Sequence, residues 1–71
     1  MVKMFECTIS ALHIKDNTAD IAIPERENSV KTDVPFLSGI GDYPNVNDTV
    51  LALIEENRGR LEKGYIIGKL M

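Results

Sequence analysis

The sequence predicts an all-β domain, a small barrel of five antiparallel strands. Apolar and polar residues alternate over several short stretches, which is the pattern of strands with one buried face. Gly, Pro, Asn and Asp residues separate these stretches and mark turns. Five such stretches fall within 71 residues, and short antiparallel strands at this spacing favour a closed or nearly closed barrel.

Length and composition indicate a single domain over residues 1–71. A chain of this size buries only about 60% of its unfolded surface, so its core is small and binding partners commonly supplement it. Apolar residues make up 44% of the chain and charged residues 27%, which is ordinary for a globular protein.

The charge balance argues against nucleic acid and anionic membranes as partners, because the net charge at pH 7 is −3. No apolar run approaches the roughly 20 residues of a membrane span, and the first residues lack the pattern of a signal peptide. The single cysteine, Cys7, excludes an internal disulfide and a cysteine-based zinc site. We therefore expect a protein made in the cytoplasm, with no membrane partner.

The first 24 residues predict a β-hairpin. Residues 1–14 alternate until Ala11, where the apolar phase slips by one residue, so we expect a bulge or a sharp coil near that point. Residues 15–18 have the composition of a turn, and residues 19–23 should pair back as the second strand. Pro24 ends that strand because proline has no N–H to donate.

The third strand is expected over residues 30–37, after a polar loop. The alternation places Val30, Thr32, Val34 and Phe36 on its inward face. Pro35 restricts this strand to an edge or places it near its own end. A loop over residues 38–44 follows, set by Gly39, Gly41 and Pro44.

Residues 49–54 are the most apolar segment, and we interpret them as a central strand packed on both faces. The competing interpretation is a helix over residues 48–63, with Asp48 as its N-cap. Gly59 and Gly64 oppose the helix, because glycine weakens helix interiors. The strand interpretation makes residues 57–60 a hairpin tip and residues 65–70 the last strand.

Three candidate chemical sites have simpler explanations. His13 has no cysteine or second histidine near it in the sequence, so a surface position on a strand is favoured over a metal ligand or base. Cys7 lies on the apolar phase of the first strand, next to the acidic Glu6, which favours an inert core thiol. Gly39-Ile40-Gly41 lacks the third glycine of a dinucleotide-binding loop.

Two polar runs in the second half of the chain also have simpler explanations than a binding site. Asp42 and Asp48, with Asn45 and Asn47 between them, could offer oxygen ligands to Ca²⁺, but the EF-hand order and its terminal Glu are missing. The mixed-sign run over residues 55–63 is typical of a solvated hairpin. The sequence therefore predicts no metal, no cofactor and no catalytic group.

Aromatic side chains matter because small barrels often bind single-stranded nucleic acid by stacking bases on them. Phe5 and Phe36 fall on apolar phases and are expected in the core. Tyr43 and Tyr65 are left as weak candidates for stacking, with little positive charge to support them.

Three segments of the second half form a recognisable pattern: Val34-Pro35-Phe36-Leu37, then Pro44, Val46, Asp48 and Val50-Leu51-Ala52-Leu53, then Ile66-Ile67-Gly68-Lys69-Leu70. The long first strand, the turn at Asp16-Asn17 and the second strand ending at Pro24 also fit. Together they resemble the OB-fold domain at the base of contractile-tail spikes, in the phage baseplate assembly protein V and VgrG-type families. Asn47 stands where these families usually have glycine, and asparagine tolerates the same left-handed backbone.

The resemblance implies a five-stranded OB-like barrel without the spike that follows it in many relatives. Pro44, Asn47, Asp48, Gly64 and Gly68 would set its turns and closure. The implied function is a structural adaptor, in several copies, that contacts hub or spike proteins of a tail, baseplate or injection machine. Such a particle is a virion or prophage-derived body assembled in the bacterial cytoplasm. The alternatives are an OB-fold module for single-stranded nucleic acid and a small regulator of a host protein.

Overall fold

The computed structural model describes residues 1–37 and 43–70. It contains five strands: β1 Val2–His13, β2 Thr18–Ile23, β3 Ser29–Pro35, β4 Thr49–Asn57 and β5 Arg60–Lys69. Single 3₁₀ turns, Ile14–Asp16 and Pro24–Arg26, join β1 to β2 and β2 to β3. No α-helix occurs in this part of the chain.

The strands form one antiparallel sheet in the order β3-β2-β1-β4-β5, which curls into a half-barrel. The end of β3 meets β5, where Phe36 forms a parallel bridge with Ile66. The Leu37 N–H donates to the Ile66 carbonyl at 2.9 Å at the same joint. The predicted all-β fold, a five-stranded OB-like barrel, is confirmed.

The predicted bulge in β1 is confirmed. Ile9 pairs with Ile21 but Ala11 pairs with Asp20, so Ser10 is the extra residue. The bulge explains the slip in the sequence pattern, because an extra residue changes which side chains face inward. Ile9 is fully buried before the bulge, and Leu12 packs against the core after it.

A second bulge, in β3, makes the predicted inward face of this strand wrong in its first half. The β2–β3 pairing shifts by one residue, and Asp33 has a left-handed backbone with φ of 52°. Val34 and Phe36 are buried as expected, but Val30 and Thr32 are exposed. The strand pattern was continuous in the sequence, so nothing in it revealed the change of phase at Asp33.

Residues 49–54 form a strand, and the helical alternative over residues 48–63 is wrong. β4 continues to Asn57 and β5 begins at Arg60, so the charged run forms the ends of two paired strands. The expected tip is a tight turn in which Arg58 and Gly59 have φ of 53° and 81°. Two consecutive left-handed residues match the right-handed twist of the flanking strands.

The expectation that β4 packs on both faces is wrong. Val50, Ala52 and Ile54 are fully buried inside the barrel, whereas Leu51 and Leu53 lie on the outer face and are only half-buried. Residues 1–37 and 43–70 form one sheet, and none of their strands makes a second layer over the outer side of β4.

Among the described residues, twelve buried apolar side chains form the core, contributed by all five strands and the segment after β3. They are Phe5, Cys7, Ile9, Ala19, Ile21, Ile23, Val34, Phe36, Val50, Ala52, Ile54 and Ile66. Arg26 lies near the Phe5 ring, 6.0 Å from its centroid, and forms an ion pair with Glu56. Lys3 contacts the same carboxylate at 3.0 Å, so these charges cover one end of the core.

Opposite ends of β4 hold the two ends of the described chain. The Glu56 N–H donates to the Met1 carbonyl at 2.7 Å, near the end of β4. The Leu70 N–H donates to the Thr49 carbonyl at 2.9 Å, at the start of β4. Residues 1 and 70 therefore lie at opposite ends of the barrel.

Candidate functional site

A row of apolar side chains crosses the outer face of the three-stranded part of the sheet. Met4 of β1 pairs with Leu53 of β4, and Leu53 pairs with Tyr65 of β5. Directly paired residues share one face of a sheet, so these three side chains are neighbours. Met4 is 56% exposed, Tyr65 is exposed and Leu53 is half-buried.

The row extends along the strands to Val2 and Leu51, two residues from Met4 and Leu53 on the same face. We call Val2, Met4, Leu51, Leu53 and Tyr65 the outer apolar face. Two exposed carboxylates border it: Glu6 pairs with Leu51, and Glu55 pairs with Val2. The result is an apolar centre with acidic sites at two edges.

The loop entering β4 contains three of the predicted closure residues. Pro44 is fully buried, and Asn47 has a left-handed backbone with φ of 78°. The Asn47 N–H donates to the Ile9 carbonyl at 2.8 Å, and the Ile9 N–H donates to the Asp48 carbonyl at 3.0 Å. These bonds tie the loop to β1 beside the bulge.

The Asp48 carboxylate stabilises the same turn. It accepts the Asn45 N–H at 2.8 Å and lies 3.4 Å from the Lys69 ammonium. The Asn45 N–H is the main reason that the pKa of Asp48 is lowered, with Lys69 adding to the effect. Asp42, its partner in the calcium alternative, lies outside the described residues, as does the Gly39-Ile40-Gly41 segment.

The two predicted glycines have different surroundings. A Cβ at Gly64 would lie 2.9 Å from Ile54 Cγ1 and 3.2 Å from the Leu53 carbonyl oxygen. A Cβ at Gly68 would have no atom within 4 Å. Close packing against β4 therefore requires glycine at position 64.

The two candidate stacking residues have different neighbours. Tyr43 packs edge-on against Phe36, with ring centroids 5.0 Å apart, and its hydroxyl donates to Asn17 Oδ1. Tyr65 belongs to the outer apolar face, beside Leu53. The described contacts therefore do not combine the two rings into one stacking platform.

An open groove of about 770 Å³ lies between the start of β3 and the β4–β5 hairpin. Residues of the turn after β2 and of β3 form one side, and Gly59 and Leu61 form the other. The charged side chains along it have both signs: Glu25, Arg26, Glu27 and Lys31. This mixture favours no single class of charged ligand.

One polar cluster was missed by the sequence analysis. His13 Nε2 lies 3.0 Å from Asp20 Oδ1 and 3.8 Å from Asp33 Oδ1. The three residues come from β1, β2 and β3, far apart in the sequence. Finding them would have required the strand order and both bulge positions, which alternation alone does not provide. These three residues could hold a metal ion.

Cys7 is fully buried in the core. Burial is the main cause that raises the pKa of its thiol to about 11, and the carboxylates of Glu25 and Glu6 add to the effect. A thiol in this state is a poor nucleophile because the thiolate is the reactive form.

We expect the Cys7 thiol of the folded protein to resist labelling by an aromatic disulfide reagent at pH 8. Adding urea should restore the rate of an unstructured peptide with the same Glu-Cys sequence, because unfolding removes the burial and separates the thiol from Glu25. Absorbance of the released thiolate measures both rates. Equal rates with and without urea would contradict the buried position.

Comparisons with known proteins identify no relative. No family model matches the chain, and neither a curated protein nor a solved structure does. In the described residues, no helix is both long enough and apolar enough to cross a membrane.

Proposed function

We propose that this chain is a structural adaptor that acts by binding other proteins, in the hub of a phage-type tail, baseplate or related injection machine. The outer apolar face is the observation that carries the proposal. It offers a docking surface that needs no reacting group. The OB-like strand order and the family pattern described above support the tail-machine setting.

The apolar composition of this face is typical of a surface that is buried when a partner protein binds. Antiparallel sheets that face water usually alternate apolar residues inside with polar residues outside. Here the outer side of β1, β4 and β5 has Met4, Leu53 and Tyr65 in one row. Met and Tyr are enriched in protein interfaces. Full burial of a Met side chain contributes about 1.5–3 kcal/mol, and Met4, which is 56% exposed, would contribute roughly half of that.

The chemistry of the partner follows from the edges of the face. Glu6 and Glu55 place carboxylates beside the apolar centre, and both are exposed. A partner with an apolar centre and Lys or Arg at its rim would complement them, since opposite charges across an interface favour association. We therefore assign the face to a hub or spike protein with a basic rim.

Replacing Met4 with glutamate should weaken binding strongly, because it places a charge in the centre of the buried patch. Val30→Glu is the matched control, since Val30 is also 56% exposed but lies on β3. The measurement is co-purification with hub, tube and spike proteins encoded by neighbouring genes. We expect a loss of about tenfold or more for Met4→Glu and little change for Val30→Glu.

Circular dichroism and thermal melting of both variants separate lost binding from lost folding. A folded Met4→Glu protein that still binds would overturn the assignment of this face. The absence of tail genes around the coding sequence, together with no binding of the wild-type chain to tail hub proteins, would overturn the adaptor function itself.

A further inference from the structure

We propose that His13, Asp20 and Asp33 form a binding site for one divalent transition-metal ion. We call these three residues the β1–β3 site, since each strand from β1 to β3 contributes one ligand. The site is independent of the outer apolar face, which lies on β1, β4 and β5.

The distances fit coordination by a single ion. Zn²⁺ binds histidine nitrogen and carboxylate oxygen at about 2.0–2.2 Å, so two ligand atoms on one ion lie at most about 4.4 Å apart. The His13 Nε2 distances to Asp20 Oδ1 and Asp33 Oδ1 are 3.0 and 3.8 Å. All three ligand atoms lie within 4.8 Å of one another, which is close to that upper limit.

The backbone holds two of the three ligands close together. His13 and Asp20 lie on paired strands, just past the β1 bulge. The side chains of His13 and Asp20 are 36% and 19% exposed, which limits their movement. Asp33 is different, because its side chain is 74% exposed and can turn toward an arriving ion.

The β3 bulge brings Asp33 into this group. The Asp33 N–H donates to Asp20 Oδ1 at 2.9 Å, which orients the Asp20 carboxylate. That N–H is the main cause of the lowered pKa of Asp20, and the hydrogen bond from His13 adds to it. Asp20 is therefore ionised at neutral pH, and the backbone N–H of Asp33 holds its carboxylate in place.

The donor set selects the class of metal. An imidazole nitrogen with carboxylate oxygens suits Zn²⁺, Fe²⁺, Co²⁺ and Ni²⁺, whereas Ca²⁺ and Mg²⁺ prefer sites made only of oxygen. Two carboxylates also supply negative charge for a divalent cation. Three protein ligands leave one or more coordination positions for water or for a side chain of a partner.

Titration calorimetry of the untagged chain with Zn²⁺ tests the proposal, because a histidine tag would bind zinc itself. We expect one ion per chain. Asp33→Asn and His13→Ala should each weaken binding about tenfold or more, because losing even an indirect contact to a metal ligand typically costs about 10–100-fold. Asp16→Asn, which removes an exposed carboxylate from the nearby turn, should leave binding unchanged.

A second readout tests the geometry without relying on affinity. Co²⁺ should give a visible absorption band when bound by nitrogen and oxygen ligands, and this band should be lost in His13→Ala. Thermal melting without metal checks that each variant folds. The proposal is overturned by no saturable Zn²⁺ binding to the wild-type chain, or by binding that folded Asp33→Asn and His13→Ala both retain.

Discussion

Replacing Phe36 with alanine should destabilise the fold by about 3–5 kcal/mol, the usual cost of removing a buried phenylalanine side chain. Phe36 is 4% exposed and forms the bridge to Ile66 that joins β3 to β5. The variant loses its contact with Tyr43 as well. Since a 71-residue domain has a total stability of about 4–11 kcal/mol, this loss is a large fraction of the whole.

Urea unfolding followed by circular dichroism measures this effect. Phe36→Leu is the matched control, because leucine keeps the site apolar and restores much of the volume. We expect it to lose clearly less stability than Phe36→Ala. If Phe36→Ala lost less than about 1 kcal/mol, the contact between β3 and β5 would contribute little to the stability of the half-barrel.

Replacing Gly64 with alanine should destabilise the fold by about 1–3 kcal/mol, as overpacking of a core does. The new Cβ would lie 2.9 Å from Ile54 Cγ1, and Ile54 is fully buried among the core residues. The carbonyl oxygen of Leu53, at 3.2 Å, restricts the other side. Relief therefore requires β4 and β5 to separate.

Gly68→Ala provides the comparison within the same strand. No atom lies within 4 Å of its new Cβ, and Gly68 is in β5 as well. We expect a change within about 0.5 kcal/mol in the free energy of unfolding. Equal losses at positions 64 and 68 would show that flexibility of the glycine backbone matters here, and that contact with Ile54 does not.

Alternation predicted β1 and β2 well because each has one buried face. The phase slip at Ala11 even located the β1 bulge. The β3 bulge could not be found in this way, since Val30 and Thr32 continue the pattern although they are exposed. A bulge that preserves an apparent alternation leaves no signal in the pattern.

The segment 48–63 shows how a local pattern can support two structures. Its Ala, Leu, Glu and Arg residues are good helix formers, yet pairing with β1 and within the hairpin makes it strand. Tertiary contacts decided between the two. Strand pairing also determines how far the charged ends extend, because β4 continues to Asn57 and β5 begins at Arg60. Composition did not predict these bounds.

Functional surfaces were harder to predict because they depend on register across strands. Tyr65 was singled out because the two phenylalanines were assigned to the core, but its neighbours Met4 and Leu53 are known only from the pairing of β1, β4 and β5. The same holds for His13, whose partners Asp20 and Asp33 lie on two other strands.

The positions of residues 1 and 70 at opposite ends of β4 have a mechanical consequence. Tension applied between them would slide β1 and β5 along β4 in opposite directions. The backbone hydrogen bonds between β1 and β4 and between β4 and β5 would then be loaded in shear. They would resist the pull simultaneously and would not break one after another. Such a module would transmit an axial force while keeping its shape.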